Sequence, residues 1–166
     1  LLPTLERLHQ NQQNFHFLLC GANPQDREYE SRIYEQIQSS AWAEWATVSG
    51  FVSGELKAQI LSAADVFVLP SYYENFGIAV AEGMAAKLPV VISDQVHIWP
   101  AIEAAEAGWV VTTEVESLEK ALSTALADEG ERERRGENAR QCAREKYGWD
   151  AIAKRLIGEY RGATRQ

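Results

Sequence analysis

Short apolar runs alternate with stretches of helical period along this chain. NFHFLLC (14–20) is an aromatic-rich run ending at Gly21, and WATVS (45–49) is a second, closed by Gly50. DVFVLP (65–70), LPVVIS (88–93) and GWVVT (108–112) follow, and all five read as strands. The chain opens in a helical pattern, and GANPQD then introduces a helix predicted to run to about Ser39. GELKAQILSAA (54–64) sets Leu56, Ile60, Leu61 and Ala64 at helical spacing. A small-residue helix is predicted from about Gly77 to Ala86, and a short one over 101–106. After residue 112 the pattern is helical: SLEKALSTALADE, ERERRGENARQCAREKY and WDAIAKRLIGEY.

Strands that are apolar almost without interruption, separated by helices, are buried on both faces. They predict a doubly wound, Rossmann-like α/β domain with a parallel sheet and a helical C-terminal tail. In such sheets ligands bind beyond the carboxyl ends of the strands. Three loops qualify: Gly21–Asp26, Gly50–Gly54 and Ser71–Phe76.

The chain of 166 residues is sized for one domain with its own core. It begins at Leu1 rather than Met, which we read as a piece of a longer protein. No apolar run approaches the ~18 residues of a membrane span, and no basic-then-apolar leader is present. The net charge of −8 excludes nucleic acid as the main partner, since such proteins need a cationic footprint. Residues 130–166 nevertheless hold ten Lys/Arg against six Asp/Glu, whereas the first 129 hold six against eighteen. That basic tail is either a set of solvated helix faces or a surface that lies against another domain or an anionic surface. Cys20 and Cys142 lack metal spacing and are expected as reduced, packed thiols in a cytoplasmic protein.

SYYENFGIAVAEGMAAKLPVVISD (71–94) places Glu74 and Glu82 in an otherwise apolar run. On one continuous helix, residues eight apart diverge by about 80° and ~12 Å. Glu74, however, belongs to the loop and can fold back over the helix start, while Glu82 points up from one and a half turns inside. Amides near Gly77 and Ile78 would then favour an anion such as a phosphate, and carboxylates accept from sugar diols. Spacing alone leaves a second reading open, in which Glu74 is a solvated loop residue and Glu82 caps nothing.

The flanking sequence extends the comparison. SYYENFGIAVAEGMAAKLPVV resembles the E-F-G-x(4)-E signature of retaining glycosyltransferases of the GT-B fold, specifically glycosyltransferase family 4 (group 1). VSGFVSGELKAQILSAADVFVLPS, SDQVHIWPAIEAAEAGWVV and the closing helices are similar to that family as well. The resemblance implies the C-terminal, donor-binding half of a GT-B enzyme, with residues 1–166 as one nucleotide-sugar-binding domain and 149–166 as the terminal helix crossing to an absent N-terminal acceptor domain. It implies that Glu74 meets hydroxyls of the transferred sugar, the one catalytic assignment, and that Glu82 meets the ribose. Asn75, Phe76, Gly77 and Ile78 would line the sugar and diphosphate, Gly50, Phe51 and Val52 the base, and Gly21 the cleft floor. The donor would be a nucleotide diphosphosugar, with no cofactor and no metal; the acceptor is unidentified, and any peripheral membrane contact would run through the absent domain.

Three departures stand out. Gly83 follows Glu82 where Ala is usual, Lys87 replaces a common Gly, and His97 lies in the loop near the expected sugar pocket. The family's diphosphate-clamping Arg and Lys fall upstream of Leu1, so the resemblance implies half a site, inactive by itself. Two rivals remain: a glycosidase, whose paired carboxylates flank a scissile bond, and a non-enzymic doubly wound ligand-binding or signalling module.

Overall fold

A computed structural model describes the backbone of residues 1–163 and the side chains of residues 1–161. Residues 164–166, which close the expected domain and terminal helix, lie outside the described residues. Among the described residues, five strands and eight α-helices follow one another in the order the sequence predicts. They are α1 (Leu2–Gln10), β1 (Phe17–Cys20), α2 (Arg27–Gln38), β2 (Ala46–Gly50), α3 (Gly54–Ala63), β3 (Phe67–Leu69) and α4 (Ile78–Ala85). Then come β4 (Val90–Ser93), α5 (Trp99–Ala104), β5 (Gly108–Val111), α6 (Val115–Ala127), α7 (Glu129–Lys146) and α8 (Trp149–Ala163).

Every strand pairing is parallel. The strands fall into two sheets, one of β1 and β2 and one in the order β3-β4-β5. Phe17 lies opposite Ala46 in the first, and Val91 lies between Val68 and Trp109 in the second. β4 is buried along its whole length because its alternating side chains feed two cores. Val90 and Ile92 join Val80 and Met84 of α4, Ile102 of α5 and Ala139 and Cys142 of α7. Val91 points the other way, toward Leu5 and Leu8 of α1, Phe17 and Trp42, and Leu118 and Leu122 of α6. The second core also gathers Val48 of β2 and Val68 of β3, so it spans both sheets.

Several expectations are corrected. The run 65–70 was expected as a buried strand, but only Phe67–Leu69 is extended and all three residues are half-buried. β3 is hydrogen-bonded on one side alone, to β4. Likewise only the second half of 14–20 forms β1. Cys142 packs in the core as expected, whereas Cys20, at the end of an edge strand, is exposed.

Helix ends follow local chemistry. Asp26 and Asp128 each accept an amide three residues on, at 2.9 Å, and thereby start α2 and α7. Pro100 sits in the first turn of α5, where its missing N–H costs nothing. α7 lies so close to the turn after α4 that a β-carbon on Gly136 would sit 2.3 Å from the Lys87 carbonyl oxygen.

Candidate functional site

The loop from β3 to α4 begins at Pro70 and ends at Gly77, the residue preceding α4. Gly77 has φ +80°, a left-handed conformation that L side chains adopt at a cost. A β-carbon there would also stand 3.1 Å from Val80 Cγ2 and 3.2 Å from Val96 Cγ1. Both the backbone and the packing therefore require glycine at this bend.

Glu74 is tied down by main chain and side chain together. Its amide donates to the Gln95 carbonyl at 3.1 Å, and its own carbonyl accepts from the His97 amide at 3.1 Å. This short parallel bridge zips the loop after β3 to the loop after β4. Ser93, fully buried, adds a hydroxyl donated to the Ser71 carbonyl. The Glu74 carboxylate folds back over the helix start, where Oε1 accepts from Gly77 N at 3.1 Å and Phe76 N at 3.3 Å.

That contact corrects one expectation. The Gly77 amide is not left open for an anion, because a helix start takes the nearest acceptor and Glu74 lies three residues upstream. The amides of Ile78 and Ala79 have no partner among the described residues. The open donors thus sit one residue further into α4 than the sequence suggests.

Aromatic rings frame the loop. Tyr73 meets His97 edge-on at 5.5 Å and donates its hydroxyl to Asn75 Oδ1 at 3.1 Å. Phe76 meets Tyr147, just past α7, edge-on at 5.3 Å. Tyr72, Tyr73, Phe76 and Ile78 are all exposed, an uncommon concentration of apolar surface around one helix start.

Glu82 lies on α4 one turn beyond Ile78, on the same face. Its Oε1 accepts from Lys57 Nζ of α3 at 2.5 Å. Lys57 is the residue that sequence reasoning missed. It occupies an ordinary polar position on α3, and no local pattern marks it. Gly83 is explained by its neighbour: a β-carbon there would lie 3.0 Å from the Phe67 ring, so the Ala usual at this position would press on β3.

The other expected residues form a second cluster. The Gly21 amide donates to the Gly50 carbonyl at 2.8 Å, joining the loops that follow β1 and β2. Gly50 is left-handed at φ +68° with open space where a β-carbon would stand. Phe51 is 76% exposed and Val52 half-buried. Among the described residues, no hydrogen bond or ring contact joins these loops to residues 71–77. The Lys57–Glu82 pair joins α3, the helix that follows the second cluster, to α4. Lys87 turns away from both clusters and pairs with Glu137 of α7 at 3.0 Å.

At the far end, Trp149 is 84% exposed, and Leu156, Ile157 and Tyr160 of α8 are exposed as well. No helix of the described residues is long and apolar enough to cross a membrane.

Residues 1–142 match the family described as glycosyl transferases group 1. An uncharacterized glycosyltransferase of Methanocaldococcus jannaschii, MJ1607, is 39% identical over 113 residues, which are 68% of this chain and 29% of that protein. The alpha-D-kanosaminyltransferase of Streptomyces kanamyceticus is 31% identical over 146 residues, 87% of this chain and 37% of that one. Among solved structures, the sucrose-phosphate synthase of Thermosynechococcus elongatus superposes with a TM-score of 0.79 at 28% identity, covering 99% of this chain and 42% of its own. The chain thus spans well under half the length of the proteins it matches.

Proposed function

Because the chain belongs to the group 1 glycosyl transferases and has the α/β fold of a GT-B half, we propose that it binds the nucleotide-sugar donor of a retaining transferase of family 4. The whole protein would pass a hexosyl group from a nucleoside diphosphate to an acceptor. One observation carries this reading. The Glu74 carboxylate folds over the start of α4 and Glu82 lies one turn inside it, while the Ile78 and Ala79 amides have no partner among the described residues.

Each group then has a task. The diphosphate sits at the N-terminus of α4, where the helix dipole and the two amides meet its charge. Glu82 accepts from the ribose hydroxyls. Glu74, held rigid by the bridge to Gln95 and His97, accepts from hydroxyls of the transferred sugar and is the residue closest to the reaction. Asn75 and Phe76 border the sugar, Gly50, Phe51 and Val52 the base, and Gly21 the cleft floor. As the sugar departs from the diphosphate, the positive end of α4 stabilises the charge that develops on the leaving phosphate, with no metal ion. The acceptor would enter on the same face and lose its proton to that phosphate, so neither glutamate needs to act as nucleophile. The exposed face of α8 would pack on an acceptor-binding domain, and the chain alone would turn over nothing.

Calorimetry with UDP, ADP and GDP tests the reading. At least one binds weakly, E82Q weakens it, and EDTA leaves it unchanged. If none of the three binds, this chain is not a competent half-site. Glycosyl transfer by the chain alone would overturn the assignment of half a site. Nucleotide binding that ignores E82Q would favour a non-enzymic doubly wound module.

A further inference from the structure

Lys57 and Glu82 are 25 residues apart and belong to different helices, yet their charged atoms are 2.5 Å apart. The pair does little for the fold. Both side chains are more than a third exposed, and ion pairs so exposed contribute little to stability. α3 has no buried residue, and among the described residues this is its one side-chain hydrogen bond to another element.

The surroundings make the cation informative. Residues 21–26, 50–54, 71–77 and 94–98, the loops at the strand ends, contain no Lys or Arg, and neither does α4. Lys57 therefore brings positive charge to a cleft whose own loops and central helix have none. Ile78 and Glu82 are four residues apart, so the residue that holds the ammonium leaves α4 about one turn, ~6 Å of axial rise, from its start. A bound diphosphate there would be repelled by the Glu82 carboxylate unless a cation offset it. The pairing leaves two things free: the ammonium has two further N–H donors, and Glu82 Oε2 has no partner among the described residues.

We propose that Lys57 is a donor-site positioning residue, which holds Glu82 to receive the ribose diol of a nucleoside diphosphate and offsets the carboxylate's charge against the phosphates. This rests on the donor-site reading above. The ammonium fixes one carboxylate oxygen and turns the other toward the ribose. K57M keeps an unbranched apolar stem but removes the ammonium, which releases Glu82 and exposes the phosphates to its full charge.

The test measures Kd by calorimetry for UDP, ADP and GDP, each beside its 2′,3′-dideoxy analogue. The proteins are the wild type, K57M, K57R, E82Q and the K57M/E82Q pair. The wild type should prefer the ribonucleotide by about tenfold, the scale of one charge-assisted hydrogen bond. K57M should lose both that preference and about tenfold in affinity, K57R should recover most of each, and the double variant should bind no worse than K57M. Circular dichroism and the urea midpoint should be unchanged in K57M, which separates positioning from folding. K57M that retains the ribose preference, or a wild type that shows none, overturns the role of Lys57 while nucleotide binding stands. A wild type that binds none of the six overturns the donor site, and the role of Lys57 with it.

Discussion

Alanine at three glycines separates two costs that the donor loop combines. At Gly77 the left-handed φ of +80° costs an alanine about 1–2 kcal/mol. The new methyl would also press on Val80 and Val96, both fully buried, at 3.1 and 3.2 Å, adding about 1 kcal/mol or more of overpacking. Restricting the unfolded chain returns about 0.4–1 kcal/mol, so G77A should lose about 2 kcal/mol. Gly50 shares the left-handed backbone but has open space around it, so G50A should lose about 1 kcal/mol or less. Gly158 lies in α8 with open space and no positive φ, so G158A should gain about 0.5–1 kcal/mol. Urea unfolding followed by far-UV circular dichroism reads all three. With m near ~2 kcal/mol/M, the midpoint should fall by about 1 M for G77A, fall by about 0.5 M or less for G50A, and rise by about 0.3 M for G158A. A G77A midpoint equal to that of G50A would refute the tight cradle formed by Val80 and Val96. Wild-type midpoints for both would refute the left-handed bends themselves.

Two further outcomes follow from single contacts. E74A removes the acceptor of the Phe76 and Gly77 amides and should cost about 1 kcal/mol in the same assay; E74Q keeps an acceptor oxygen and should retain that stability while weakening nucleotide-sugar binding seen by ligand-detected NMR. Glu131 of α7 is held by Arg134 and then Arg135, which lower its carboxyl pKa from 4.5 to about 2. Its stabilisation is therefore present above the unfolded value near 4.5 and fades as pH falls toward 2. The difference in urea midpoint between wild type and E131Q should shrink between pH 6 and pH 2.5, and should also shrink in high salt because the group is partly exposed. A difference that ignores pH would show that the arginines do not hold this carboxylate.

Much of the architecture was legible in the chain because period and burial are local properties. VVIS reads as a strand buried on both faces, and β4 is that strand, with Val90 and Ile92 in one core and Val91 in the other. GANPQD introduces α2 as predicted, and Glu74 and Glu82 fall on loop and helix as expected. The limits of the strands were less legible. The pattern marks 65–70 as apolar, but extension stops at Leu69, before Pro70, which has no amide to donate to a ladder.

By itself, then, the sequence determined the order and kind of the elements and which loop carries the acidic residues, since side-chain period follows from backbone geometry alone. Tertiary structure decided who meets whom. It brought Lys57 of α3 onto Glu82, set Gly83 beneath the Phe67 ring and zipped Glu74 to Gln95 and His97. It also placed the loops of Gly21 and Gly50 together and divided the strands between two sheets. Each of these depends on how separate elements pack, a relation between distant positions that no window of the chain contains. The carboxylates of the candidate site were visible in the sequence, but the cation that pairs with one of them was found only in the fold.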